Sequence, residues 1–485
     1  MSTYYHGAYV QEVGSSIATP TNNESGLHVI FGTAPIHLAE EPRKTTDQLI
    51  LVNSLDEAVR KLGYSEDFKN YTLCQAVSAY FKIFAVGPVV LCNVLDPAKH
   101  KKDNAEKEYT IINKQVTVDA LGILADTLIV KTDSDVLLVK DTDYIASFDS
   151  DGYLVITILS AGQGAAATKI KVSSTSIAPE AVTEADIIGG IDAETGKESG
   201  LELVRRVYPV CGRFPGLLLA PGWSHKKNVA AVLSAKCREI NGVFRCECLI
   251  DLDTEVARKY TDCAQLKDDY GLNSEDMILL WPKASVSGVS YYYSAIYGAM
   301  TAQTDADNDS IPTVSPSNRI LRISGAQLED GQEINLDQPE GNALNGQGIV
   351  TILYNQGFRS WGNNTAAYPE VTETKDRWIC CRRAFSWYGN AFIVRCADEV
   401  DNPANFRLIE TIVDKENIRG NSYVQQGKFA GAKMEYRKED NTTEQALEGK
   451  IMVRQYLAPF TPAEYILNVL SFDPTLLENA LGGSE

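Results

Sequence analysis

The sequence predicts a multidomain protein of mixed α/β and α+β class, with an all-β domain inserted into it and an extended arm at each end. Three observations carry that prediction. A chain of 485 residues with 44% hydrophobic content has room for two to four domains with ample core. On either side of residues 97–192, apolar strands alternate with helical patterns, which implies a largely parallel sheet covered on both faces. Within residues 97–192 there is no arginine, cysteine or tryptophan, and short alternating strands replace that pattern.

Residues 1–26 read as an arm and linker. One strand pattern (Ala8, Tyr9, Val10, Val13) is followed by GSSIATPTNNESG, whose Pro20 and paired asparagines are turn-formers. Gly14, Ser15, Ser16 and Gly26 would let such an arm bend. Residues 27–96 read as α/β. Ser54 with Glu57 makes a capping-box pattern before Leu55, Ala58, Val59 and Leu62. Thr72 with Gln75 repeats it before Val77, Tyr80, Phe81 and Phe84, and a strand follows at 89–95. Residues 97–195 form the insert, with strands YTIIN, LIVKT, VLLVK, YLVITIL and KIKVS between Asp-rich turns, a small β-sandwich or barrel.

Residues 196–343 return to α/β. Helices are predicted at about 198–207, from Lys226, at 254–270 and at 291–302, with strands GLLLAPG, CECLIDL and MILLWP between them. Residues 344–462 carry a strand, a turn and an aromatic-bearing strand (Ile349 to Trp361). Two helices (377–399 and 405–420) and a hairpin around Lys433 and Met452 follow. Residues 463–485 leave after Pro462 as a second arm. There Ile466, Leu467, Val469 and Leu470 suit a strand that has no obvious partner in its own domain.

Several of these segments, in this order, resemble the sheath proteins of contractile tails, found in myophages, phage-tail-like bacteriocins and related injection systems. The segments are HGAYVQEV (6–13), LHVIFGTAP (27–35), the whole of 344–367, RRAFSWYGNAF (382–392) and the stretch 426–434. The resemblance implies a subtilisin-like α/β middle domain, an insert on the outside of the sheath and a C-terminal domain lining an inner tube. It implies stacked six-fold rings of identical copies, linked by their arms. Partners would be other copies, the tail tube protein, and the baseplate and tail terminator proteins. Assembly would take place in the host cytoplasm, followed by a place in a virion tail or a released particle.

The residues themselves agree with a structural role. A net charge of −19 and a pI near 4.8 argue against nucleic acid and anionic membrane as partners. No apolar run reaches spanning length. The start MSTYYHGAYVQEV lacks a basic and apolar leader, so the chain is expected to stay in a cytoplasm or leave without a signal peptide. The ten cysteines include no CxxC, and Cys74, Cys92 and Cys237 read as reduced core fillers.

A subtilisin-like fold invites a peptidase alternative, and a soluble α/β binding protein is a third reading. The peptidase order Asp, His, Ser fails here. Asp251 and Asp253 are well placed, but no histidine follows them among His6, His28, His37, His100 and His225, so Ser287 and Ser290 lack a base. DADNDS (305–310) starts like a calcium loop, but its sixth and twelfth places hold Ser310 and Pro316, and an acidic surface loop fits better. No phosphate-binding GxxxxGK[ST] loop occurs. No catalytic residue, metal site or cofactor is expected. Tyr9, Val10, Val13, Ile466, Leu467, Val469 and Leu470 are the expected donated strands. Arg382 and Arg383 allow two readings: pairing with Asp376, Asp398 and Glu399 inside the chain, or contact with a tube or another copy. Arg407 and Lys415 join them as candidates for such a contact.

Overall fold

A computed structural model of the protein describes residues 21–481, so the N-terminal strand pattern with Tyr9, Val10 and Val13 lies outside the described residues. Strands β1 (Leu27–Gly32), β2 (Ile50–Val52) and β3 (Val89–Asn93) open the fold. Between β2 and β3 lie helix α1 (Leu55–Leu62) and helix α2 (Thr72–Val77), which widens into a π-helical turn at Ser78–Phe84. Ser54 caps α1 as expected, accepting the Glu57 N–H at 3.3 Å, while Glu57 accepts the N–H of Asn53, one residue earlier. The second predicted capping box does not form. Thr72 is the first helical residue, and its hydroxyl oxygen accepts from the Thr33 N–H and the Trp223 indole, each at 3.2 Å. Gln75 donates to the Phe68 carbonyl and accepts from the Tyr292 N–H. Both side chains are buried, so tertiary polar groups that would otherwise be orphaned claim them.

The insert holds β4 (Lys101–Thr110), β5 (Gln115–Leu121), β6 (Ile129–Thr132), β7 (Leu137–Leu138), β8 (Tyr144–Phe148), β9 (Tyr153–Ile158) and β10 (Lys169–Ile177). They make two antiparallel sheets, β8-β9-β5 and β4-β10-β6-β7, around a core of their own that includes Val118, Val130, Ile156 and Ile170. Of strand β4, KKDNAEKEYT, the sequence predicts only the last two residues, within YTIIN. The strand pairs along β10 with nearly every side chain in solvent, so it has no apolar alternation to betray it. Its charges are those of a protected sheet edge. VLLVK supplies only the two-residue β7.

The main body continues with β11 (Pro215–Leu219), α3 (Lys227–Ala235), β12 (Glu247–Asp251), α4 (Asp262–Tyr270) and β13 (Met277–Leu280). A small antiparallel sheet of β14 (Lys283–Val286), β15 (Val289–Tyr291) and β16 (Gly325–Gln327) flanks helix α5 (Tyr293–Ala306). Two predicted helices shrink: 198–207 becomes a 3-10 turn at Gly200–Arg206, and 254–270 becomes helical only from Asp262. Strands β17 (Ile349–Tyr354) and β18 (Phe358–Trp361) form the predicted hairpin.

One eight-stranded sheet, β18-β17-β13-β12-β11-β1-β3-β2, unites these pieces. Its inner six strands are parallel, and β18 and β2 are antiparallel edges. Strands β1, β3, β12 and β13 are buried at every position, because helices cover both faces. The sheet runs straight across position 343, so the motif at 344–367 belongs to the main sheet rather than to the helices after it.

Helices α6 (Ile379–Cys396) and α7 (Phe406–Gln425) follow, then the hairpin β19 (Phe429–Tyr436) and β20 (Val453–Pro459). The described residues end in an extended stretch and a short helix, α8 (Pro474–Ala480), which the strand reading of the tail did not foresee. Asp473, whose carboxylate accepts the Thr475 N–H, and Pro474 at the first turn start it.

Candidate functional site

The hairpin β19–β20 is where the arrangement exposes backbone. Asn405 caps α7 by accepting the Leu408 N–H at 3.0 Å, and α7 then packs along β19. Asn417 of α7 bonds both backbone groups of Met434, donating to its carbonyl at 2.9 Å and accepting its N–H at 2.8 Å. Gly420, one turn on, lets the helix close: a Cβ there would sit 2.8 Å from the Ala432 carbonyl oxygen. The outer edge of β19 is thus covered.

The same bonds define the other edge. Met434 turns its N–H and C=O toward α7, away from β20, so Met434 and its opposite residue Gln455 form a pair that exchanges no ladder bonds. By alternation, Val453, Gln455 and Leu457 point their backbone groups outward from β20. Among the described residues no strand pairs there. This is an open edge.

Beyond it lies the arm. Ile466, Leu467, Val469 and Leu470 are 85, 66, 74 and 87% exposed, and no strand of this chain pairs with them among the described residues. Among the described residues the arm is held at its root. Arg377 donates to Glu464 at 3.2 Å and to the Asn364 side-chain oxygen at 2.9 Å, and its guanidinium lies 4.0 Å from the Trp378 ring.

The basic candidates divide. Arg382 and Arg383 are buried and paired inside the chain. Arg382 donates to Asp376 at 2.8 Å and lies 3.8 Å from Glu247. Arg383 makes two hydrogen bonds to Asp305, which also accepts from the Ser25 hydroxyl at 2.8 Å. Burial opposes the Arg383 charge, but Asp305 holds the guanidinium above its ordinary range. Burial pushes the Glu247 carboxyl up, with Arg382 working against it. Asp376 was an expected partner; Asp305 and Glu247 were not, because they lie far away in sequence. Neither Arg382 nor Arg383 offers its charge to a surface, whereas Arg407 and Lys415 are exposed, Lys415 beside Glu399 at 2.8 Å.

The catalytic alternative finds no assembled chemistry among the described residues. Asp251 is buried and binds Ser224 and Ser294, and burial raises its carboxyl. Ser290 sits in β15 with its hydroxyl unpartnered. His225 stacks on Tyr292 at 5.5 Å. Asp305, first in DADNDS, is committed to Arg383. All ten cysteines are free thiols, and no cluster of His, Cys, Asp and Glu able to hold a metal is found among the described residues. No helix there is long and apolar enough to cross a membrane.

No protein-family model matches the chain. Whole-chain relatives do. It is 25% identical over 470 residues to the tail sheath protein of Burkholderia phage BcepMu, covering 94% of each chain. It is 22% identical over 398 residues to the major tail sheath protein of Serratia phage KSP20, covering 79% of this chain and 97% of that one. In fold it is similar to a solved sheath complex of the extracellular contractile injection system PVC in the contracted state. That likeness has a TM-score of 0.55 and 17% identity, and covers 98% of this chain and 99% of the other. Along nearly its whole length, then, the chain is similar to the tail sheath proteins of contractile phage tails, and it shares the fold of a solved contractile injection system sheath.

Proposed function

We propose that the chain is the structural subunit of a contractile tail sheath, which polymerises around an inner tube and contracts to drive that tube through a target envelope. The observation that carries this reading is the apolar arm beyond Pro462, exposed in the single chain while β20 keeps an edge with no strand on it among the described residues. Apolar exposure of this length is stable only when something covers it. Strand donation between copies satisfies both features at once. Because donor and acceptor are different surfaces, the contact is heterologous and generates rings or helices.

Since α7 covers the edge of β19, the second donated strand, from 9–13 of another copy, would add outside the first. The order would be β19, β20, C-terminal arm, N-terminal arm. Six-fold stacked rings, tube, baseplate and terminator as partners, assembly in the host cytoplasm and an outward-facing insert complete the proposal. So do Arg407 and Lys415 as contacts to tube or neighbour, and the division at 26, 96, 195 and 462. A subtilisin-like middle domain is part of it too, supported by the parallel sheet with helices on both faces.

The test is Leu467→Pro, which removes a ladder donor in the arm. The subunit should fold and melt as the parent does, because residue 467 touches little of its own chain, yet long tubes should be absent in negative-stain microscopy. Normal tubes from this variant would sink strand donation.

A further inference from the structure

The geometry points to a second half of that contact: helix α8 of the donor seats in an apolar groove beside the accepting edge of another copy, which sets the donated strand antiparallel to β20. This inference rests on the strand-donation reading.

The groove lies where the end of α6, the start of α7 and the approach to β20 meet. Phe392, Val400, Leu408, Ile412, Ile451 and Val453 form its apolar wall, enclosing about 410 Å³. A neighbouring hollow of about 380 Å³ shares Phe392, Ile451 and Val453. Val453 is also the first residue of β20 and the first with outward backbone groups, so groove and open edge are continuous. Val400 is 68% exposed, and no segment of this chain fills the groove among the described residues.

The arm has the matching sequence of parts. Residues 465–472 are the strand segment. Phe472, the Asp473 cap and α8 follow, with Leu477 and Leu481 four residues apart on one helical side and Leu476 beside them. All of these leucines are exposed in the single chain.

Direction follows from length. Strand β20 has seven residues, so it spans roughly 23 Å. A donated strand running antiparallel brings its end, Phe472, beside Val453 and delivers α8 onto the groove. A parallel strand leaves α8 past Pro459, at the far end from the groove. Only the antiparallel arrangement covers the apolar helix and the apolar groove together. The occupant is therefore a second copy of this chain, and the helix acts as a terminal anchor that keeps the strand from sliding along its edge.

Cys396 lines the groove as a half-buried free thiol, and the arm has no cysteine from 463 onward. Tubes assembled from Leu477→Cys are treated with diamide. Each disulfide forms as two thiols give up two protons and two electrons to the diamide, which becomes the hydrazine. The expected result is a ladder of covalent multimers on a non-reducing gel, lost when Cys396→Ser is added. Leu481→Cys, on the same helical side, should behave alike if Leu477→Cys assembles poorly. A ladder from Ile466→Cys instead means a parallel strand and overturns the inference. A cross-linked species running as monomer, or no ladder from any of the three, also overturns it. Failure of the underlying reading is seen separately, as normal tubes from Leu467→Pro.

Discussion

Substituting Arg383→Met tests whether this arginine is an internal brace or an assembly contact. In the structure the Arg383 and Asp305 side chains are 4 and 1% exposed, and the guanidinium gives Asp305 two hydrogen bonds. Methionine fills much of the volume but leaves a buried carboxylate whose remaining named side-chain donor is the Ser25 hydroxyl. Breaking one side of a buried pair costs about 3–5 kcal/mol, whereas replacing both sides with apolar groups is often close to neutral. Urea unfolding of the subunit, followed by tryptophan fluorescence, should therefore show a loss of about 3–5 kcal/mol for Arg383→Met. Most of it should return in Arg383→Met with Asp305→Leu, the coupling expected of residues in contact. Double-variant subunits should still form tubes, because neither group reaches a surface. Parental stability in Arg383→Met combined with failed assembly would refute this, and would return Arg383 to the list of inter-subunit contacts.

Two further outcomes follow from the structure. Burial, with the Arg383 charge adding to it, lowers His28 from 6.5 to about 3. The unfolded chain then binds the extra proton first as pH falls, so this contribution to stability is complete above pH 6.5 and is lost from there toward pH 3, by roughly 3 kcal/mol at pH 4. Melts between pH 4 and 7 should show that slope, flattened in His28→Asn; an unchanged slope would refute the assignment. Lys101 and Ile177 are directly paired at the two ends of the insert. Replacing residues 102–176 with a short Gly/Ser linker should therefore leave tubes visible by electron microscopy, and a folded monomer that forms none would show the insert to be part of the lattice.

Much of the secondary structure was legible because burial imposes patterns on sequence. GLLLAPG, CECLIDL and MILLWP are strands covered on both faces, where apolar residues dominate and the buried Glu247 and Asp251 are held by hydrogen-bond partners. The cap at Ser54 and the hairpin at 349–361 were legible for local reasons of bonding and turn chemistry. Most of strand β4 escaped because an exposed edge selects for charge and erases alternation. The Thr72 cap misled because its hydroxyl was worth more to buried partners across the fold. Helix α8 was readable in principle from Asp473 and Pro474, but the alternating run before it favoured one continuous strand.

By itself, then, the sequence determined which segments are strand or helix where burial repeats, that the insert is a separate β unit, and that the arm beyond Pro462 is apolar without a local partner. Each of these depends on residues close together in the chain. Only the tertiary structure decided that Arg383 meets Asp305, 78 positions away, and that Asn417 and Gly420 close one edge of the hairpin while the other stays open. Those outcomes depend on which surfaces meet across long sequence separations. A long-range ion pair or an open sheet edge leaves no periodic mark on the chain that carries it.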